Sequence, residues 1–462
     1  MTGRHAHGRG RRGDRPGGAL AAVLAGAAVL ATPLLVSGAP GAPAEASPGR
    51  AGQVQATTVD PSRARIGPVW RAELPDACTP EEIPTEPSPV LPALGVEEAW
   101  ELSRGEGVTV AVVDSGVAPS EPHLPADEAV LPGLDSMGTV PGSETVTEGP
   151  PLSSSDGRTD FHFHGTAAAS LIAARDPEGT HVVGLAPEAQ ILPVRVYVTT
   201  EDDELIEAGY GTDVGRMAEG IRWAADQGAQ IISVSMSLPT DVPELREAVE
   251  HASAAGSLVV ASAGNARTAD DDTPGPRYPA AYPGALAVTA TTIEGEATDD
   301  SIPGEHVEIA APGDPAYYAY VTGEECYTGG GGEAASSWAT AYVAASAALV
   351  ASMYPDETPA QWAHRLMVTA VRTVPGERDD LLGWGSVAPY DALSFVDDGA
   401  APGPPSPVHE APSVDAPTFV AVPERPEDPL EAVRGTAAWW VFGAFVVVGG
   451  AGLLAKAPRR RG

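Results

Sequence analysis

The chain has 462 residues, with 63 Asp and Glu against 27 Lys and Arg and a formal net charge of −36. A negative excess of this size argues against binding nucleic acid or an anionic lipid surface, because attraction to phosphate needs the opposite sign. It speaks to solubility and says nothing about chemistry.

The N-terminus is basic, with Arg4, Arg9, Arg11, Arg12 and Arg15. An apolar stretch follows from about Ala19 to Val36, and small residues end at Ala44-Glu45-Ala46, an A-x-A site. Residues 1–46 therefore read as a secretory signal peptide. Beyond it, residues 47–455 hold 18 Lys and Arg against 61 Asp and Glu, so the exported part is more acidic than the whole. Residues 47–95 are rich in Pro, Glu and Ala with little periodicity and read as an irregular extension. Cys78 lies in this extension, and the second cysteine of the chain is Cys326. Two cysteines in an exported chain can form one bridge. A Cys78–Cys326 disulfide is expected, and it should do most of the anchoring of an extension so poor in apolar residues.

Residues 96–397 alternate strand-like and helix-like segments. The expected strands are Val108–Val113, Gln190–Tyr197, Gln230–Met236, Leu258–Ser262 and Ala285–Thr291. They are near-continuous apolar runs, as strands covered on both faces should be. The expected helices are Thr212–Gln227, Val242–Ala254 and Ser337–Met353, the last stopping before Pro355. Strands alternating with helices predict an α/β fold with a mostly parallel sheet and helices on both faces.

Residues 398–435 contain nine prolines among Gly, Ser, Asp and Glu and read as an extended linker. Residues 436–455 read as a transmembrane helix. The run from Ala437 to Ala455 is uncharged and, at ~1.5 Å per residue, long enough for a hydrocarbon core of roughly 30 Å. Trp439 and Trp440 sit at one edge, as interfacial anchors do, and Lys456, Arg459, Arg460 and Arg461 in the tail 456–462 mark the cytoplasmic side. The segment 96–397 is then expected outside the cell membrane, tethered by this single helix.

Three short segments suggest chemistry. Val110-Ala111-Val112-Val113-Asp114-Ser115-Gly116 ends an apolar run on an aspartate. At the carboxyl end of a central strand, a ligand-binding edge of open α/β sheets, this carboxylate could orient a histidine. His164-Gly165-Thr166 opens a helix of small residues, and an imidazole there suits proton transfer near neutrality. His162 lies two residues earlier, but a His-x-His pair with no third ligand is weak grounds for a metal, and none is expected. Ser336-Ser337-Trp338-Ala339 opens another helix, whose unpaired N–H groups favour negative charge. A serine at that place also suits a plain helix cap, and two serines are adjacent. Between them, Ser262-Ala263-Gly264-Asn265 offers a side-chain amide as an oxyanion donor, or simply a turn. The order Asp…His…Ser is one known chain order of a hydrolytic triad.

From about Ala99 to Leu393 the chain resembles the subtilisin-like serine proteases. Val110–Gly116 is similar to their aspartate motif, His164-Gly165-Thr166 to their histidine motif, and Ala335–Leu349 to their serine motif and helix. Val183-Gly184-Leu185-Ala186-Pro187 and Pro193-Val194-Arg195-Val196 resemble a loop and the strand it feeds. The resemblance implies a subtilisin-like fold, a triad of Asp114, His164 and Ser337, an oxyanion site at Asn265 and the Ser337 N–H, and substrate pairing by Ser235, Met236, Ser237 and Gly264. It implies a peptide or protein substrate and no cofactor. The wider layout of signal peptide, extension, protease domain, proline-rich linker and terminal membrane helix resembles the mycosins, membrane-anchored proteases of type VII secretion, and so implies secretion-complex membrane partners. Three departures stand out: Ala335 where glycine is usual, Ala341 for proline and Ser237 for glycine. Ala335 keeps open a second reading, a weak or inactive scaffold, if its Cβ distorts the nucleophile turn.

Overall fold

The computed structural model describes residues 78–137, 156–267, 273–329, 334–410 and 430–455. The expected signal peptide, most of the extension, the run Gly330-Gly331-Gly332 and the basic tail lie outside the described residues.

The short helices α1 (Val90–Ala93) and α2 (Val96–Trp100) lead into β1 (Thr109–Asp114) and β2 (Leu134–Asp135). Next come α3 (His164–Ala173), β3 (Gln190–Arg195), a single turn α4 (Asp203–Leu205) and α5 (Val214–Asp226). They are followed by β4 (Ile231–Val234), α6 (Pro243–Ala255), β5 (Leu258–Ser262), β6 (Ala285–Thr291) and β7 (Ile309–Pro312). A hairpin of β8 (Ala316–Ala319) and β9 (Glu325–Thr328) precedes α7 (Ser336–Met353), α8 (Pro359–Thr369) and α9 (Pro389–Ser394), and α10 (Glu431–Ala455) ends the described chain.

Strands β1 to β7 form one sheet in the order β2-β3-β1-β4-β5-β6-β7, with every pair parallel. Side-chain alternation along each strand divides the core in two. Val110, Val112, Ile231, Leu258 and Val260 face α3 and α7, whereas Ala111, Val113, Ile232, Val259 and Ala261 face α5 and α6. This double cover is why the strands read as unbroken apolar runs. Helix α7 is buried nearly all round, and its alanines let the sheet approach closely.

The expected strands and helices are present, with ends shifted by one or two residues, as the last turns of elements commonly are. Two differences are larger. Val90, Leu91 and Leu94, placed by the sequence in the irregular extension, belong to the main core. Their contribution is hidden because each sits in one short turn without a full amphipathic period. Residues 398–410, read as linker, instead pack back on the domain: Gly403 lies against Val368 of α8, the Arg372 guanidinium just beyond α8 donates to the Pro402 carbonyl (2.7 Å), and Ser406 donates to Asp397 (2.6 Å).

The Cys78–Cys326 disulfide is formed, with Cα atoms 5.9 Å apart. Cys326 is fully buried on β9, beside Tyr320, Val321 and Ala118. The same strand is held by Glu325, which accepts from the His181 and Val182 amides (2.8 and 3.1 Å) and pairs with His123 Nε2 (3.1 Å).

A second lock sits at the carboxyl edge of the sheet. Arg195, the last residue of β3, donates from Nε and Nη2 to the two Asp135 oxygens (3.0 and 2.6 Å) and from Nη1 to Thr159 (2.9 Å). Both charged side chains are sealed from water, at 0% and 1% exposure. Losing one partner of such a pair leaves an uncompensated buried charge. Arg195→Met is expected to cost about 3–5 kcal/mol in denaturant unfolding; a loss under ~1 kcal/mol would show that Asp135 finds other donors.

The bridge closes a chain separation of 248 residues, for which loop entropy gives about 5 kcal/mol as an upper bound. Reduction should therefore expose the chain ahead of Ser88 to limited proteolysis. The segment 90–100 should resist cleavage, because its apolar side chains stay in the core.

Candidate active site

Asp114 is the last residue of β1 and is fully buried. Its Oδ1 accepts from the Ser115 amide (2.8 Å) and the Tyr197 hydroxyl (2.8 Å), and both of its oxygens lie 3.0 Å from His164 Nδ1. Burial alone would push its pKa up. The positive charge of His164, with the donors from His164, Ser115 and Tyr197, outweighs burial and holds the carboxyl at about 2. For His164, burial pulls the pKa down, but Asp114, and Asp160 behind it, raise it above the ordinary imidazole value. Among the described residues Nε2, the other ring nitrogen, has no hydrogen-bond partner.

His164 opens α3, and the turn before it is organised by Asp160. Asp160 Oδ1 accepts from the His162 and Phe163 amides (3.1 and 2.8 Å), and Oδ2 accepts from the Thr166 amide and hydroxyl (2.8 and 2.7 Å). It thus caps the first turn of the helix. Phe163 has φ +64°, a left-handed conformation costly for a residue with a Cβ; its ring is held against Tyr320 at 4.6 Å. Gly165 allows α3 to approach β1, since a Cβ there would lie 2.1 Å from the Gly116 carbonyl oxygen and 3.1 Å from Asp114 Cβ.

The two serines are distinguished by their surroundings. Ser336 is buried, its hydroxyl 2.6 Å from Ser262 Oγ and its amide donating to Asn265 Oδ1 (2.8 Å). Ser337 is half-exposed at the second position of α7, where backbone N–H groups have no intrahelical acceptor. Because Asn265 Oδ1 faces the Ser336 amide, its Nδ2 is free to donate elsewhere. Trp338, the next residue, lays its indole on the His164 ring, with centroids 4.8 Å apart and planes 24° apart. That contact brings the starts of α3 and α7 together at the end of β1.

Ala335 precedes α7 with φ −94° and ψ 129°. This is ordinary extended backbone, so the alanine there carries no backbone strain. Ser235, Met236 and Ser237 follow β4 as half-exposed chain. A Cβ on Gly264 (φ +96°) would lie 3.2 Å from Ser237 Oγ, so the two expected substrate-pairing segments are neighbours. Sequence reading missed Tyr197 and Asp160. Tyr197 follows β3 at the same sheet edge as Asp114, and Asp160 lies four residues before His164; only these placements could have hinted at them. Among the described residues no His, Cys, Asp and Glu cluster suits a metal ion.

The Subtilase family (Peptidase S8) matches residues 105–385, a span that includes Asp114, His164, Asn265 and Ser337. The chain belongs to the subtilase family. This subtilase is 36% identical to thermitase of Thermoactinomyces vulgaris over 255 residues, 55% of this chain and 78% of thermitase. It is 31% identical to Mycosin-1 of Mycobacterium tuberculosis (strain ATCC 25618 / H37Rv) over 408 residues, 80% of this chain and 84% of that protein. Among solved structures, the MycP3 protease from the type VII (ESX-3) secretion system matches with a TM-score of 0.57 and 31% identity, covering 69% of this chain and 91% of that one. A chain of an intact ESX-5 inner membrane complex matches at TM-score 0.55 and 25% identity, covering 81% and 93%. The subtilase is thus a serine endopeptidase of the mycosin type.

The Asp114–His164 pair generates a prediction. NMR titration of the His164 ring should give an inflection above ~6.5, the ordinary value. Asp114→Asn should bring it below, because the raising charge is gone. An unchanged inflection in that variant would remove Asp114 as the cause.

Proposed function

We propose that this chain is a membrane-anchored, extracytoplasmic peptidase that cuts peptide bonds with Ser337, His164 and Asp114. The observation that carries the reading is the His164 imidazole, bound through Nδ1 to a buried carboxylate on one side and stacked on the residue after Ser337 on the other. Asp114 fixes the tautomer with the proton on Nδ1, so Nε2 is the base. Nε2 takes the Ser337 hydroxyl proton as Oγ attacks the substrate carbonyl. The oxyanion would meet the Ser337 N–H and Asn265 Nδ2. The imidazolium, stabilised by Asp114, then gives its proton to the leaving amine. Water repeats the sequence on the acyl-enzyme and restores the serine.

The substrate backbone would lie along Ser235-Met236-Ser237, beyond the end of β4, and beside Gly264, whose own amide is given to Ser262 Oγ (3.1 Å). Helix α10 supports the anchor: Val433–Ala451 is long and apolar enough to cross a membrane and is exposed along its length. With Trp439 and Trp440 toward one interface and Lys456, Arg459, Arg460 and Arg461 toward the other, the basic end would be cytoplasmic. Similarity to proteins named for type VII secretion, one of them within an inner membrane complex, supports a place beside such a secretion assembly.

A fluorophosphonate probe on the detergent-extracted full chain should label Ser337 covalently. Ser337→Ala should abolish labelling and peptidase activity without lowering the unfolding midpoint. Ser336→Ala should keep labelling, at a reduced rate, because its hydroxyl only supports Ser262. Labelling lost in Ser336→Ala and kept in Ser337→Ala would reverse the assignment.

A further inference from the structure

We propose that Trp338 is a positioning residue for His164: its indole face sets the plane of the imidazole and stabilises the imidazolium formed when Ser337 gives up its proton. The proposal rests on the reading of His164 as proton carrier. Four rings line up through the site. His162 and His164 lie 6.4 Å apart at 29°, His164 and Trp338 4.8 Å at 24°, and Trp338 and Tyr318 6.3 Å at 15°. The His164–Trp338 pair is the tightest of the three, and a centroid distance under ~6 Å over an indole face is within cation–π range.

The chemistry needs such a contact. A histidine ring turns easily about its last side-chain bond, since that torsion has broad, shallow wells. The Asp114 hydrogen bond pins one nitrogen and leaves the tilt of the ring open. A flat indole against the imidazole restricts that tilt and keeps Nε2 aimed. The contact also answers the charge: an indole face is electron-rich and favours the protonated ring over the neutral one. The groups that bear on His164 are Asp114 from β1 and Asp160 and His162 from the turn before α3, while Tyr197 beyond β3 acts through Asp114 and meets the edge of the His162 ring. Tyr197 donates to the same Asp114 oxygen as the Ser115 amide, so part of the carboxylate charge is already shared out. Trp338 acts from the ring face, where none of these hydrogen bonds reaches.

Trp338 is itself held. It is the third residue of α7, its amide donates to the Ala335 carbonyl (3.2 Å), and its ring is backed by Tyr318 of β8. Tyr318 pairs directly with Cys326 on β9, so the disulfide supports the outer end of the ring column.

The test reads the His164 ring without turnover, in full-length Ser337→Ala protein in detergent with labelled histidine. Trp338→Leu should lower the His164 inflection by roughly half a pH unit, and Trp338→Phe by less. Fluorinated tryptophans placed at position 338 alone, which weaken the π face at nearly constant size, should lower it step by step with fluorine number. In the active chain Trp338→Leu should reduce kcat roughly tenfold while leaving KM within twofold. A His164 inflection that stays put across the fluorine series overturns the proposal, whether or not the leucine variant folds. The titration stands or falls independently of whether Ser337 labels, so failure of this proposal and failure of the catalytic reading are told apart.

Discussion

A carboxylate sealed from water at the end of the central strand is the constraint around which the site is organised. Asp114 would be costly to bury unpaired. It is kept charged because three donors reach it from three places: the Ser115 amide in its own turn, the Tyr197 hydroxyl beyond β3 and the His164 imidazole on α3. The parallel register of β1 and β3, which sets Asp114 opposite Arg195, carries the chain on to Tyr197 within reach. Any slip in that pairing would strip a donor from a group with no water to replace it. Sheet register and histidine chemistry are therefore one problem in this protein.

The same economy of buried charge shapes the approach to His164. Arg195 and Asp135 neutralise each other under the sheet edge, and Arg195 also holds Thr159, next to Asp160. Asp160 then accepts four hydrogen bonds from the turn that launches α3 and a further one from the Ser115 side chain. Burial, the larger influence, raises its pKa, and the Thr166 donors act against that. Phe163 takes a left-handed backbone in the middle of this turn and is restrained by Tyr320, in the cluster that surrounds Cys326. The disulfide thus lies close to the site through packed rings as well as through the chain it closes. Burial of Val90, Leu91 and Leu94 shares the anchoring that the bridge was expected to carry.

Much of the layout was legible in the residues. Apolar runs over Val108–Val113 and Leu258–Ser262 announced doubly covered strands, and the small-residue stretches after His164 and Ser337 announced helices that pack closely. Polar residues that end such runs must lie at element ends, so Asp114, His164 and Ser337 were candidates before any fold was known. Other features were not legible. Tyr197 lies 83 residues from the aspartate it serves. The different surroundings of the two adjacent serines, with the Ser336 hydroxyl taken up by Ser262, and the ordinary extended backbone at Ala335 were likewise not legible.

The sequence by itself determined the alternation of strands and helices, the covered faces of the sheet, the membrane-length apolar helix and the chain order of the three candidate residues. These follow from local periodicity, which records only whether a residue's own element turns it toward oil or water. Tertiary structure alone decided which polar groups meet: Tyr197 and Asp114, Arg195 and Asp135, Asn265 and Ser336, Trp338 and His164. Those meetings depend on register across the sheet and on how loops close between distant elements, and a hydrogen bond between residues dozens of positions apart leaves no period in the chain that makes it.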